Sequence, residues 1–333
     1  MIGMFSRRLA LGVVASAAIV GSFAAPASAQ SFPNRTMTMI VPFAAGGPSD
    51  VIARLLADNM SRTLGQQVIV ENVAGAGGVA GARRLAQSPA DGHTMLIHHL
   101  ALAAAPSLYA SLGYDTATAF APIGLVNTGP MVITGKLGLP PVDAKSFFAY
   151  AKAQGDKLTV AHAGVGSNSH LCSLLIGQSL GIKLTSVAYR GTGPAMNDLV
   201  GGVVDVLCDQ STTAVPQVQG DKIRAYAVTS TARLDVLPQT ATAAESGVDI
   251  NMTIWHGLYA GAGTPEAALD RLNAALQVAL KEPAILDRFK AVGTGAFPDA
   301  ERSRAAHATR FTGEVKKWAE LLKAAGVTPQ TAN

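Results

Sequence analysis

Glycine, hydroxyl and amide residues gather at three places where an apolar run gives way to a helical pattern, and that combination suits the capture of an anion. The stretches are MIVPFAAGGPSDVIARLL from Met39, LTVAHAGVGSNSHLCSLL from Leu158 and SVAYRGTGPAMNDLV from Ser186. A helix entered through such a loop presents free backbone N–H groups and the positive end of its dipole. In the first loop Gly46 and Gly47 let the backbone turn and approach a ligand closely, Ser49 suits an N-cap position, and Asp50 can brace the loop's N–H groups. In the second, Ser167, Asn168 and Ser169 add hydroxyl and amide donors. Tyr189 and Arg190 precede Gly191-Thr192-Gly193 in the third, an aromatic wall and a cation able to hold a carboxylate through two parallel hydrogen bonds. Any one loop could be an ordinary helix start. Three in one chain point to the binding of a small acid.

Other motifs spell different chemistry in the wrong setting. Gly75-Ala76-Gly77-Gly78-Val79-Ala80 after Val70 fits the strand-loop-helix fingerprint of dinucleotide binding, but the acid wanted about 20 residues on is poorly placed, since Asp91 precedes the next strand. A tight turn into a helix is the plainer reading. Gly177-Gln178-Ser179-Leu180-Gly181 matches the hydrolase elbow, which needs a strand before the serine and a helix after it. Here the order is reversed, and Gly181 reads as a helix C-cap. An exported serine hydrolase acting on a small ester or amide stays as the alternative, with His162, His170 and His256 available as bases. His98 and His99 end one strand, where only one of two neighbours can face a given side, so one of them is expected near the pocket.

The elements that must position these groups alternate, strand-like run and helical pattern, which favours a parallel α/β sheet. Met37 to Val41, Val68 to Glu71 and Met95 to His98 read as strands, with helices over Asp50 to Leu64 and Ala80 to Gln87. A second set of strands covers Leu158 to Ala161, Ser186 to Tyr189, Val203 to Cys208 and Ile223 to Val228, with helices starting near Ser169, Pro194 and Ala214. After a strand at Ile254 to Ala260 come long helices over Pro265 to Lys281, Ala284 to Ala291 and Ala300 to Ala325, with Pro265 and Pro283 at first helical positions. Their apolar stripes need a sheet to cover. The economical arrangement returns this segment to the first domain: residues 30–129 and 255–333 form one lobe, 130–254 an inserted second, with hinge crossings near Asn127 to Met131 and Met252 to Trp255.

Composition narrows the classes. Of 333 residues, 49% are hydrophobic and 14% charged, enough for a large core. Residues 1–29 read as a cleaved export signal: Arg7 and Arg8, an apolar stretch from Leu9 to Ala25, then Ala27-Ser28-Ala29. The expected location is the periplasm after cleavage behind Ala29, by the general or the twin-arginine route. Cleavage removes two of the 26 basic side chains and none of the 22 acidic ones, leaving a net charge of +2, too even for a nucleic-acid binder. The two cysteines, Cys172 and Cys208, can pair in an oxidising compartment or stay as buried thiols. No His follows either at ligand spacing, so no metal is expected.

Taken in order, VPFAAGGPSDVIARLLA, LGQQVIVEN, AGAGG, PADGHTML, AGVGSNSHL, YRGTGPAMNDLVGG and VDVLCDQ resemble the Bug family of periplasmic solute receptors, which serve tripartite tricarboxylate transporters. The resemblance runs from Phe32 to about Thr328. It implies a type II periplasmic binding protein fold, two α/β lobes that close on a small carboxylate without cofactor or metal. By matching motifs it implies ligand contacts from Phe43, Ala44, Gly47, Ser49 and Asp50 in the first lobe. In the second lobe it implies Gly166, Ser167, Ser169, His170, Tyr189, Arg190, Gly191, Thr192 and Asp209. The implied partners are a mono- or dicarboxylate, with a dicarboxylate favoured because both lobes carry anion-ready loops, and the inner-membrane transporter subunits or a sensor. The receptor is expected to work as a monomer. This sequence has Val73-Ala74 where many relatives have Arg-Pro before the Gly run, which weakens any ligand role for Ala76 and Gly77.

Overall fold

The computed structural model describes residues 32–324 and 326–331, so the expected signal and its cleavage site lie outside the described residues. The chain starts as βα repeats: β1 (Met37–Val41), α1 (Pro48–Leu64), β2 (Val68–Asn72), α2 (Val79–Ala86), β3 (Thr94–His99), α3 (Ala101–Leu108) and β4 (Tyr109–Ser111). α1 shows why these boundaries fall where they do. Pro48 supplies a preset φ at the first helical position, Gly47 is the N-cap, and Gly65 (φ 72°) ends the helix with its N–H on the Ser61 carbonyl. Ile52, Leu56 and Met60 recur every four residues and are fully buried. On β1, Met37, Met39 and Val41 alternate onto the same core and Ile40 faces the other. Each such side chain contributes roughly 1.5–3 kcal/mol by leaving water.

A 16-residue strand, β5 (Phe120–Gly135), then leads into α4 (Ala144–Gln154), β6 (Thr159–His162), α5 (Asn168–Leu180), β7 (Thr185–Ala188) and α6 (Thr192–Val200). β8 (Val206–Gln210), α7 (Ser211–Gln219), β9 (Arg224–Val228) and β10 (Ala241–Thr242) follow. The chain returns through β11 (Thr253–Gly261) to α8 (Glu266–Ala279), α9 (Pro283–Ala291), β12 (Gly295–Ala296), α10 (Arg304–Ala324) and β13 (Gln330–Thr331). The main path of the sheet is β2-β1-β3-β11-β5-β8-β6-β7, with β9, β10 and β12 attached beside it.

The sheet is mixed, which corrects the parallel expectation. β1 pairs in parallel with β2 and β3, and β6 with β7 and β8, but β11 runs antiparallel to β3 and β5, and β5 antiparallel to β8 and β9. The cause is connectivity. β5 carries the chain out of the first half-sheet and β11 carries it back, so these two oppose their neighbours. Along β5, residues 120–130 pair with β11, and Met131–Gly135 pair with β8 and β9. The change of partner comes at Pro130, which has no N–H to donate.

Local corrections follow the same logic. Ser49 is the second residue of α1 and makes no capping bond, since Gly47 takes the cap. Pro265 caps α8 from outside, while Pro283 does open α9. Gly177-Gln178-Ser179-Leu180-Gly181 lies at the end of α5, where Gly181 (φ 64°) closes the helix with bonds to the Gln178 and Gly177 carbonyls from its own N–H and that of Ile182. Among the described residues no helix is long and apolar enough to cross a membrane.

Cys172 on α5 and Cys208 on β8 form a disulfide with Cα atoms 6.2 Å apart and a sequence separation of 36. Closing a loop of that length in the unfolded chain stabilises the fold by about 4 kcal/mol in the chain-entropy model. Replacing both cysteines by alanine is therefore expected to lower unfolding free energy in urea by about 2–4 kcal/mol. An unchanged midpoint and slope would show that the link constrains nothing.

Candidate functional site

The first of the three loops is held from beneath by one carboxylate. Asp50 accepts the Gly46 N–H at 3.0 Å, two bonds from Arg54 at 3.0 and 2.9 Å, and one from Asn72 at 3.0 Å. Asn72 also donates to the Phe43 carbonyl at 3.0 Å. Burial alone would raise the Asp50 pKa, but the Arg54, Gly46 and Asn72 donors outweigh it and hold the carboxyl below its ordinary value. Its charge is thus spent on shaping the loop, with φ +83° at Gly46 giving the turn. Ser49, freed from capping, is hydrogen-bonded to His256 Nε2 at 2.9 Å.

The second loop folds on its own hydroxyls. Ser167 caps α5 by accepting from the His170 N–H and donates to the Gly164 carbonyl at 2.6 Å. Ser169 accepts the Ala163 N–H at 2.9 Å and lies 3.1 Å from the Ser167 hydroxyl. The third loop meets the first directly: the Ala44 N–H donates to the Arg190 carbonyl at 3.0 Å. A further tie runs from the Tyr109 hydroxyl to the Val165 carbonyl at 2.7 Å.

Between these loops lies a narrow cavity. From the residues singled out in the sequence it is lined by Phe43, Gly47, Ser49, Asp50, Ser167, Ser169, Thr192 and Asp209, together with Asn168. Pro48, His99, Met131, Ala163 and Gln210 complete the wall. The other residues named from sequence lie off it. Ala44, Gly191 and the Arg190 carbonyl form the loop-to-loop contact, and the Arg190 side chain is exposed. Tyr189 turns its hydroxyl to Asp198 at 2.6 Å, and His170 accepts the Gly166 N–H at 3.3 Å behind the loop. Arg190 sits at the end of an extended segment whose alternation sends its side chain outward, so only its backbone serves the site.

Four helices begin at this cavity: α1 at Pro48, α5 at Asn168, α6 at Thr192 and α7 at Ser211, whose N-cap is Gln210. Each start carries the equivalent of about half a positive charge and unsatisfied N–H groups. None of the lining residues is Lys or Arg. The sequence places the α7 start near Ala214, three residues late, and does not count it among the anion loops, although VDVLCDQ followed by Ser211-Thr212-Thr213 is itself a strand end running into hydroxyl residues.

The titratable walls are mostly neutral. Burial pushes His256 and His98 down to about 3, holds His99 well below 6.5, and lowers His170 to about 4; His162 is lowered by burial too. His99 stacks on Phe43 with ring centroids 4.8 Å apart and accepts the Ala101 N–H on Nδ1, which assigns its proton to Nε2. His98 packs behind Gly78 instead. Asp209, 1% exposed, goes the other way: burial pushes it up to about 6, against the Thr213 hydrogen bond and the nearby Thr192 hydroxyl and Gln210 N–H. Asn168 Oδ1 and Gln210 Nε2 are buried with no hydrogen-bond partner among the described residues. The cavity thus offers neutral donors, open amide groups and one raised carboxyl. An anion fits that set.

The family model described as "Tripartite tricarboxylate transporter family receptor" matches residues 52–327. An Agrobacterium vitis protein from a ttuE-ttuC' intergenic region is 42% identical over 297 residues, covering 89% of this chain and 86% of its own. BugT of Bordetella pertussis is 34% identical over 323 residues, covering 93% and 97%. The solved periplasmic binding protein BugD superposes with a TM-score of 0.87 at 42% identity, over 90% of this chain and 100% of its own. MatC of Rhodopseudomonas palustris, solved with bound malate, gives 0.84 at 38% identity over 87% and 100%. A second protein from that organism, solved with adipate, gives 0.84 at 29% over 90% and 99%. By sequence and by fold, this chain belongs to the tripartite tricarboxylate transporter receptor family of Bug-type periplasmic binding proteins.

Proposed function

We propose that the protein is a periplasmic receptor that captures a small organic dicarboxylate in this cavity by closure of two lobes and delivers it to inner-membrane transporter subunits or a sensor. The observation that carries the reading is the convergence of four helix starts on a cavity lined by no Lys or Arg. Neutral donors backed by helix dipoles can replace the water around an anion without a buried counter-charge, which suits reversible capture. Malate and adipate in two solved relatives are dicarboxylates of different length, which supports the class. In this reading residues 30–129 with 255–333 form one lobe and 130–254 the other, hinged where β5 changes partners and at the entry to β11.

The hydrolase alternative has one local feature in its favour, the Ser49–His256 pair at 2.9 Å. Yet His256 is pushed down to about 3 and its Nδ1 is buried without a partner among the described residues, so they supply it neither the basicity nor the orienting acid of a nucleophile's base. Ser179, the serine of the elbow-like motif, is exposed and donates to the Asp249 carbonyl at 3.1 Å.

Screening the purified mature protein against mono-, di- and tricarboxylates should give a concentration-dependent rise in melting temperature with dicarboxylates. No rise with any acid, together with turnover of a small ester, would overturn the receptor reading. Closure has its own test at Gly193, inside α6, where an added Cβ would lie 2.4 Å from the Ala45 carbonyl oxygen across the cleft. Gly193→Ala suits the helix itself and is expected to leave each lobe folded while weakening dicarboxylate binding by about tenfold or more, some 1.4 kcal/mol. Unchanged affinity would show that the loops need not meet for binding.

A further inference from the structure

Resting on the dicarboxylate reading of this cavity, we propose that Asp209 selects the protonation state of the bound acid: the ligand is held with one proton shared between its carboxylate and the Asp209 carboxyl. Capture at neutral pH therefore takes up a proton, and the site discriminates for acids that can bring a carboxylate to this residue as an O–H···O pair.

The geometry leaves Asp209 without the means to stay charged beside a second anion. It is the penultimate residue of β8, with the disulfide at Cys208 and its register partner Val132 on β5 fixing its strand. Among the described residues it has no ion-pair partner. One oxygen accepts from the Thr213 hydroxyl; the Gln210 N–H and the Thr192 hydroxyl lie beside the carboxyl, and its second oxygen is buried with no full hydrogen bond among the described residues. The contrast with Asp50 is instructive, since both line the cavity yet only Asp50 has a guanidinium and two further donors.

No other group around the cavity can take the proton near neutrality. From α1 come Ser49 and Asp50, the latter held ionised by Arg54; from β3, His99; from β11, His256. From β6 and α5 come His162, His170, Ser167 and Ser169; from α6 and α7, Thr192, Thr212 and Thr213; from β5, apolar Met131 and Val132. All the histidines named are kept neutral by burial. Two carboxylates confined to one site cannot both ionise cheaply, so one holds a proton. At pH 7.5 the proton comes from solvent, forms the O–H bond at the shared pair, and returns to solvent on release. No other co-reactant is involved.

The sign follows from linkage. Unliganded Asp209 loses its proton above about 6. The bound pair keeps its proton to higher pH, so affinity falls about tenfold per pH unit above that point until the bound pair itself ionises.

Calorimetric titration of the wild-type mature protein with succinate and with adipate, which carry no hydroxyl, tests this directly. At pH 7.5, in two buffers of different ionisation enthalpy, binding should take up close to one proton per ligand, and affinity should drop about a hundredfold from pH 6.5 to 8.5. Asp209→Asn should bind without proton uptake, lose most of that pH dependence, and exceed the wild type at pH 8.5 by about tenfold or more. Zero uptake by the wild type with pH-independent affinity would overturn the proposal, whether or not the variant folds. Failure of every dicarboxylate to bind would instead overturn the reading of the cavity on which it rests.

Discussion

Taking an anion out of water without giving it a formal counter-charge is the constraint on which this structure turns. An isolated carboxylate loses several kcal/mol of solvation on burial, and fixed donors must replace that solvation. Here the donors are the starts of α1, α5, α6 and α7 and the hydroxyl and amide groups beside them. Asp50 shows how strictly this is arranged. An acid next to an anion site would repel the ligand, but its charge is spent on Arg54, Gly46 and Asn72, and what reaches the cavity is a stiffened loop.

The fold serves that convergence. Helix starts cluster only where strands end together, and the parallel pairs β1–β3 and β6–β8 end beside the cleft. β5 and β11 hold the two halves in one sheet, which forces them antiparallel to their neighbours. The disulfide ties α5, whose first residues line the cavity, to β8, which brings Asp209 there. Glycine makes the meeting of loops possible. A Cβ on Gly77 would lie 1.8 Å from the Val165 carbonyl oxygen, so Ala76 and Gly77, which do not line the cavity, stand beside the second loop as a contact surface.

Elements punctuated by glycine, proline and apolar periodicity were legible in the sequence. β1 begins and ends where its apolar run does, and α1, α5 and α6 begin within two residues of the expected places. β5 was not legible, because FAPIGLVNTGPMVITG is broken by Pro122, Gly124, Gly129 and Pro130 and has no alternation, being buried on both faces for most of its length. Without it the sheet looked parallel. At the site, glycine-hydroxyl loops signalled an anion because backbone N–H groups follow from helix starts alone. Side-chain direction did not follow: Arg190 looked like the natural carboxylate ligand, yet contributes a carbonyl to a loop contact. One of His98 and His99 was expected near the pocket, and His99 is there; which of the two it would be, and the place of Gln210, depend on tertiary placement that spacing does not encode.

The central claim is that the carboxylate is held by helix starts and neutral side chains. A crystal structure of the mature protein with succinate tests it most directly. The account predicts carboxylate oxygens within hydrogen-bond distance of backbone N–H groups at the starts of α1 and of α5 or α6, with no lysine or arginine nitrogen within 4 Å. A carboxylate paired with Arg190, or with any other guanidinium or ammonium group, would contradict it.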